Sequence, residues 1–130
     1  MHIESPKNTI SKSDKEVFEF LTDLQNFEKL MPSNIDKFEV INKDRFLFAL
    51  KGMPEIVLQR KEENPNDKIV LGAASDKLPF TLTADIKSLG ANECEVTLSF
   101  KGEFNAMMAM MIKSPITNFM GTLSENLSAI

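Results

Sequence analysis

The most constraining feature of this chain is a pair of adjacent stretches in which apolar and polar residues alternate strictly. Phe80, Leu82, Ala84 and Ile86 alternate with Thr81, Thr83, Asp85 and Lys87. After Gly90-Ala91-Asn92, Cys94, Val96, Leu98 and Phe100 alternate with Glu95, Thr97, Ser99 and Lys101. A period of two sends successive side chains to opposite faces of a strand. Two such strands joined by a tight turn predict an antiparallel pair with one apolar and one wet face.

The same period runs through the middle of the chain. Phe38 and Val40 mark one strand, then Phe46, Phe48 and Leu50, then Ile56 and Leu58, then Ile69, Leu71 and Ala73. Turns are expected at Lys51-Gly52-Met53-Pro54, Asn64-Pro65-Asn66-Asp67 and around Asp76-Lys77. Residues 2–10 can form a first strand, giving a meander of about seven strands.

Two segments are helical instead. In SKSDKEVFEFLTD, Ser13 and Glu16 form a capping-box pattern, followed by Val17, Phe18, Leu21 and Leu24 at helical spacing. A second short helix fits DLQNFEKLMP, capped by Asp23 and ended by Pro32. The pair covers roughly 14–31. The last segment, capped by Asn105, carries Met108, Met111, Ile112, Pro115, Ile116, Phe119, Leu123 and Leu127 on one stripe. About 23 residues of helix would span roughly 35 Å. Only the apolar face of the meander is left to bury that stripe. Pro115 removes a backbone donor and costs about 3 kcal/mol in a straight helix. It predicts either a kink near Met111 to Ser114 or a break between two helices.

Composition narrows the function. The net charge is −4, and the 15 Lys and Arg are spread along the chain, so no basic face for nucleic acid is expected. No run approaches the roughly 20 apolar residues of a membrane span. The N-terminus lacks the pattern of a signal peptide, which predicts a bacterial-type cytoplasmic protein. At 130 residues, 1–130 reads as one domain. Cys94 is the only cysteine and His2 the only histidine, so a zinc site, an internal disulfide and a histidine-based triad are not expected. No cofactor or metal is implied, and a monomer or weak homodimer is expected. Ten Phe and eight Met, with no Tyr or Trp, point to an interior suited to apolar contact.

The order of elements resembles the helix-grip fold of the START-like superfamily (SRPBCC), in particular its polyketide cyclase/dehydrase and lipid transport group. The resemblance rests on DKEVFEFLTDLQNFEKLMP and on FNAMMAMMIKSPITNFMGTLSENL, with Lys113-Ser114-Pro115 near the middle of the last helix. It implies an α+β fold in which a curved antiparallel sheet grips the C-terminal helix around a cavity. Relatives bind lipids, steroids, quinones or polyketides. A minority catalyse, and one subgroup consists of interaction modules. No fixed catalytic set carries over.

The expected function is therefore a binding or carrier protein for an apolar small molecule. The residues expected to meet it are Phe46, Phe48, Leu58, Arg60, Leu71, Phe80, Leu82, Leu98 and Phe100 on the sheet. On the helix they are Met108, Met111, Ile112, Pro115 and Phe119. Ile56 is a further wall residue. Alternation puts Arg60 and Glu62 on the face of Ile56 and Leu58, where Arg60 at the cavity mouth could grip a carboxylate. The strand could instead twist or bulge there, leaving both residues solvated. Cys94 faces inward, as an apolar filler or a nucleophile. An enzyme would have to draw on Arg60, Glu62 or Cys94. An interaction module without ligand would expose apolar residues in the 31–36 loop or around Met107 and Met110.

Overall fold

The computed structural model describes residues 1–51, 55–74 and 80–130. It is an α+β fold: a curved antiparallel sheet wrapped around a long C-terminal helix. The strands are β1 His2–Glu4, β2 Asn8–Ile10, β3 Ile35–Asn42, β4 Arg45–Leu50, β5 Ile56–Asn64, β6 Lys68–Ala73, β7 Phe80–Gly90 and β8 Glu93–Gly102. The helices are α1 Asp14–Thr22, α2 Phe27–Leu30 and α3 Ala106–Leu127. The sheet order is β1-β8-β7-β6-β5-β4-β3, with β2 also paired to β8. The residues beyond Lys51 in the Lys51–Pro54 turn, and the Asp76-Lys77 turn, lie outside the described residues.

The expected strand over residues 2–10 divides in two, which makes eight strands among the described residues. Pro6 has no amide hydrogen and cannot donate to a ladder. Ser5 keeps the edge joined: its amide donates to the Leu98 carbonyl (2.8 Å), and its Oγ accepts from the Leu98 amide (3.0 Å). β1 then pairs Ile3 with Phe100, and β2 pairs Ile10 with Cys94.

Local signals place the helices as their chemistry directs. Ser13 Oγ accepts from the Glu16 amide, and the Glu16 carboxylate returns the bond to the Ser13 amide. Asp23 caps a 3-10 turn, Leu24–Asn26, rather than α2 itself. The turn before β6 places Asn66 at φ 65°, a conformation that Asn tolerates better than most residues. Because β2 and β3 lie at opposite edges, α1 and α2 must cross the sheet to connect them.

Asn105 Oδ1 caps α3 by accepting from the Met108 amide at 2.8 Å. The helix is continuous through Pro115, so it does not break in two. What changes at Pro115 is burial. All the buried residues of α3 follow it: Ile116, Phe119, Met120, Leu123, Ser124 and Leu127. Before it, Met107, Met110 and Met111 are 74%, 82% and 67% exposed.

Side-chain amides fasten the buried half. Asn8 Nδ2 donates to both the carbonyl and the Oγ of Ser124, each at 2.7 Å, and Asn126 Nδ2 donates to the Leu30 carbonyl at 2.9 Å. Leu21, Phe27 and Leu30 close over the sheet beside Leu123 and Leu127. The void left among them and their sheet partners is only about 20 Å³.

A Leu123→Ala change removes a residue only 1% exposed in this packed half and should destabilise by about 2–5 kcal/mol. Met110→Ala should fall within about 0.5 kcal/mol of wild type. Urea unfolding of both variants checks the division. Equal losses would show that the two halves of α3 are packed alike.

Candidate functional site

Where α3 stands away from the sheet, a cavity of about 510 Å³ opens. Its sheet side is built by Phe48 and Leu50 of β4, Ile56 and Leu58 of β5, Phe80 and Leu82 of β7, and Phe100 of β8. Met108, Met111, Ile112, Pro115, Ile116 and Phe119 of α3 form the other side. Phe104, in the link from β8 to α3, completes the apolar wall.

Aromatic stacking stiffens both flanks. Phe48 stacks on Phe119, with ring centroids 5.1 Å apart and planes 5° from parallel. Phe80 stacks on Phe100 at 4.9 Å, and Phe100 on Phe104 at 6.2 Å. Offset aromatic pairs at these separations add roughly 0.5–1.5 kcal/mol beyond area burial. Gly102 makes the second stack possible. A Cβ there would overlap the Phe104 ring and lie 3.0 Å from Phe80 Cβ.

Among the described residues, the polar ones lining the cavity are Asn34, Lys51, Ser114 and Asn118, and all four are exposed. The polar groups therefore belong to the rim, and the depth is apolar. Lys51 is the one charged residue in the lining among the described residues.

Most of the expected contact residues converge on this space. Phe48, Leu58, Phe80, Leu82, Phe100, Met108, Met111, Ile112, Pro115 and Phe119 all line it. Four do not. Phe46 is fully buried among other rings, 5.2 Å from Phe27, 5.4 Å from Phe38 and 6.0 Å from Phe48. Leu71 and Leu98 lie under the packed half of α3, around the 20 Å³ void.

Arg60 is the clearest correction. Pairing slips between Arg60–Leu71 and Glu62–Val70, leaving Lys61 as the extra residue of a bulge. Glu62 thereby joins Val70 and Thr83 on the wet face, so Arg60 and Glu62 do not share a side. The Arg60 guanidinium points away from the cavity. Nη2 donates to the Thr22 carbonyl (2.6 Å) and the Lys43 carbonyl (2.8 Å), and Nη1 pairs with Glu63. Nε lies 3.4 Å from Asp44 Oδ1, close enough for ionic attraction but without an aligned hydrogen bond. Arg60 thus ties the end of α1 to the β3–β4 turn.

Cys94 is fully buried on β8. Burial pushes its thiol pKa up, and the carboxylates of Asp14 and Glu16 push it in the same direction. Raised values favour the neutral thiol, so folding is disfavoured as pH climbs past the ordinary thiol range. Among the described residues, no group of three or more His, Cys, Asp or Glu gathers to hold a metal. Nor is any helix long and apolar enough to cross a membrane.

Leu50 and Ile116 also line the cavity; periodicity put both on the apolar faces but not among the expected contact residues, and it did not find Phe104 or the polar rim. Gly102 two residues before Phe104 is the one sequence sign of close packing there.

No protein-family model matches the chain, and no curated protein matches it. Solved structures do. A truncated norcoclaurine synthase from Thalictrum flavum superposes with a TM-score of 0.78 at 11% identity, over 98% of this chain and 91% of that one. A START superfamily protein from Mycobacterium smegmatis gives 0.71 at 10% identity, over 98% and 94%. This chain has the START-like helix-grip fold. At these identities the likeness is one of fold. Another norcoclaurine synthase structure from Thalictrum flavum, with dopamine and hydroxybenzaldehyde, gives 0.77 at 11% identity, over 99% and 84%.

Two outcomes follow from the placements of Arg60 and Cys94. Arg60→Ala should cost about 1–3 kcal/mol in urea unfolding, because two carbonyls lose their donor. Occupancy of the cavity by a neutral apolar probe should stay within twofold. Cys94 should resist a thiol-reactive dye at pH 8 in the native state and react at once in denaturant. Rapid native labelling would contradict its burial.

Proposed function

We propose that this chain binds an apolar small molecule between its sheet and α3, as a carrier or binding protein. One observation carries the reading: about 510 Å³ of space with apolar depth and a polar rim. Ligand pockets fall in the range of about 300–1,000 Å³ and are lined in this manner. Phe48, Leu58, Leu82, Phe100, Ile112 and Phe119 are the residues proposed to meet the ligand. A small-molecule ligand is compatible with this fold, since the similar norcoclaurine synthase from Thalictrum flavum forms a complex with dopamine and hydroxybenzaldehyde.

Binding without turnover is the better supported mode. General acid–base chemistry needs a titrating group within hydrogen-bond reach of the reacting atom. Arg60, Glu62 and Cys94 lie outside the cavity lining, and Lys51 stands at the rim. A second reading, an interaction module without ligand, is favoured by the exposure of Met107, Met110 and Met111. It leaves the cavity without a purpose.

Fluorescence titration with the neutral probe N-phenyl-1-naphthylamine separates the two. Ile112→Trp, a half-buried position on the cavity wall, should fill the space and weaken probe binding at least tenfold while circular dichroism stays unchanged. Loss of binding in a Met107→Ser, Met110→Ser variant, with Ile112→Trp unaffected, would place the probe on the helix surface and overturn the cavity reading.

A further inference from the structure

We infer that the cavity takes a single-headed amphiphile tail first, with an anionic head held at the rim by Lys51. This rests on the reading of the cavity as a binding site and specifies the chemistry of its ligand.

The polar groups of the lining are segregated. Leu58, Leu82, Phe100 and Phe119 are buried and apolar, whereas Asn34, Lys51, Ser114 and Asn118 are exposed. A head group pushed into the depth would lose its hydration and find no side-chain partner there, which is costly for a polar group and far more so for an ion. At the rim the same head keeps water and meets hydrogen-bonding side chains. The tail must therefore enter first.

The sign of the head follows from the charges. Lys51 is the charged residue of the lining, and no Asp or Glu lines it among the described residues. Among those residues no carboxylate lies within 4.0 Å of the Lys51 ammonium, while other lysines, such as Lys37 and Lys68, have such partners. The Lys51 amide donates to the Asn34 carbonyl at 3.0 Å, which holds these two rim residues side by side. Asn34 and Asn118 each carry an amide NH₂ able to donate to an oxyanion. Among the described residues, the cavity lining of this chain of net charge −4 thus carries one positive and no negative side chain.

An exposed ion pair is worth little, so the selectivity should be modest and sensitive to salt. The test displaces N-phenyl-1-naphthylamine with three ten-carbon probes: decanoate, decanol and decyltrimethylammonium. Wild-type protein should bind decanoate about tenfold more tightly than decyltrimethylammonium, and 0.5 M NaCl should shrink that gap. Lys51→Gln should weaken decanoate about threefold and leave decanol unchanged, with the same melting temperature as wild type. Equal affinities for the two ions would overturn the inference, as would Lys51→Gln weakening all three probes alike. In those cases decanol binding still supports the cavity reading. If none of the three displaces the probe, that reading fails and the inference with it.

Discussion

Everything distinctive in this structure depends on how far α3 is pinned to the sheet. From Ile116 onward, the helix buries five large apolar side chains, each worth about 1.5–3 kcal/mol when fully removed from water. The Asn8 and Asn126 amides lock the same half to β2 and to the end of α2. The ten residues before it have no comparable anchorage. They extend from the packed half as a continuation of one helix and roof a space they do not fill. Pro115 sits at the junction. It breaks the backbone bonding locally where burial also changes, so the two halves meet at a natural weak point.

An open interior of this size is expensive, because side chains facing a void forgo contacts they would otherwise make. The walls resist collapse for identifiable reasons. Phe48 is fixed between Phe46 and Phe119, and Phe46 is itself wedged by Phe27 and Phe38. On the other flank, Phe80, Phe100 and Phe104 support one another above Gly102. Rigid rings braced in series cannot swing inward one at a time. Such a cavity gains stability from any apolar molecule that enters it, through ordinary mass action.

Much of this was legible in the residues before any coordinates. Strict alternation in β7 and β8 declared both faces of the sheet, and the capping box at Ser13 and Glu16 marked the start of α1. The cavity side of α3 was visible as a stripe. Alternation could not distinguish Phe46 from Phe48, which share a face: one stacks on Phe27 of α2 and the other on Phe119 of α3 at the cavity wall. Leu71 and Leu98 were misplaced for the same reason. Their neighbours are set by where the helices cross the sheet, which no local pattern records. Arg60 failed differently: it keeps the apolar-face register, paired with Leu71, but its guanidinium is drawn to the end of α1 and the β3–β4 turn, while the extra residue at Lys61 reverses Glu62. Phe104 escaped because it lies beyond the period of β8 and before that of α3.

The likeness to norcoclaurine synthase and to the START superfamily protein shows that this arrangement of sheet and helix recurs at low identity. In this chain burial along α3 divides at Pro115, and the cavity beside it has an apolar depth and a rim carrying Lys51. The most direct test is a crystal structure under xenon pressure, since xenon enters apolar cavities without needing a specific chemistry. The account predicts xenon between Leu58, Phe100 and Phe119, with those side chains unmoved. Side chains of α3 packed onto Leu58 and Phe100, with no xenon between them, would contradict it.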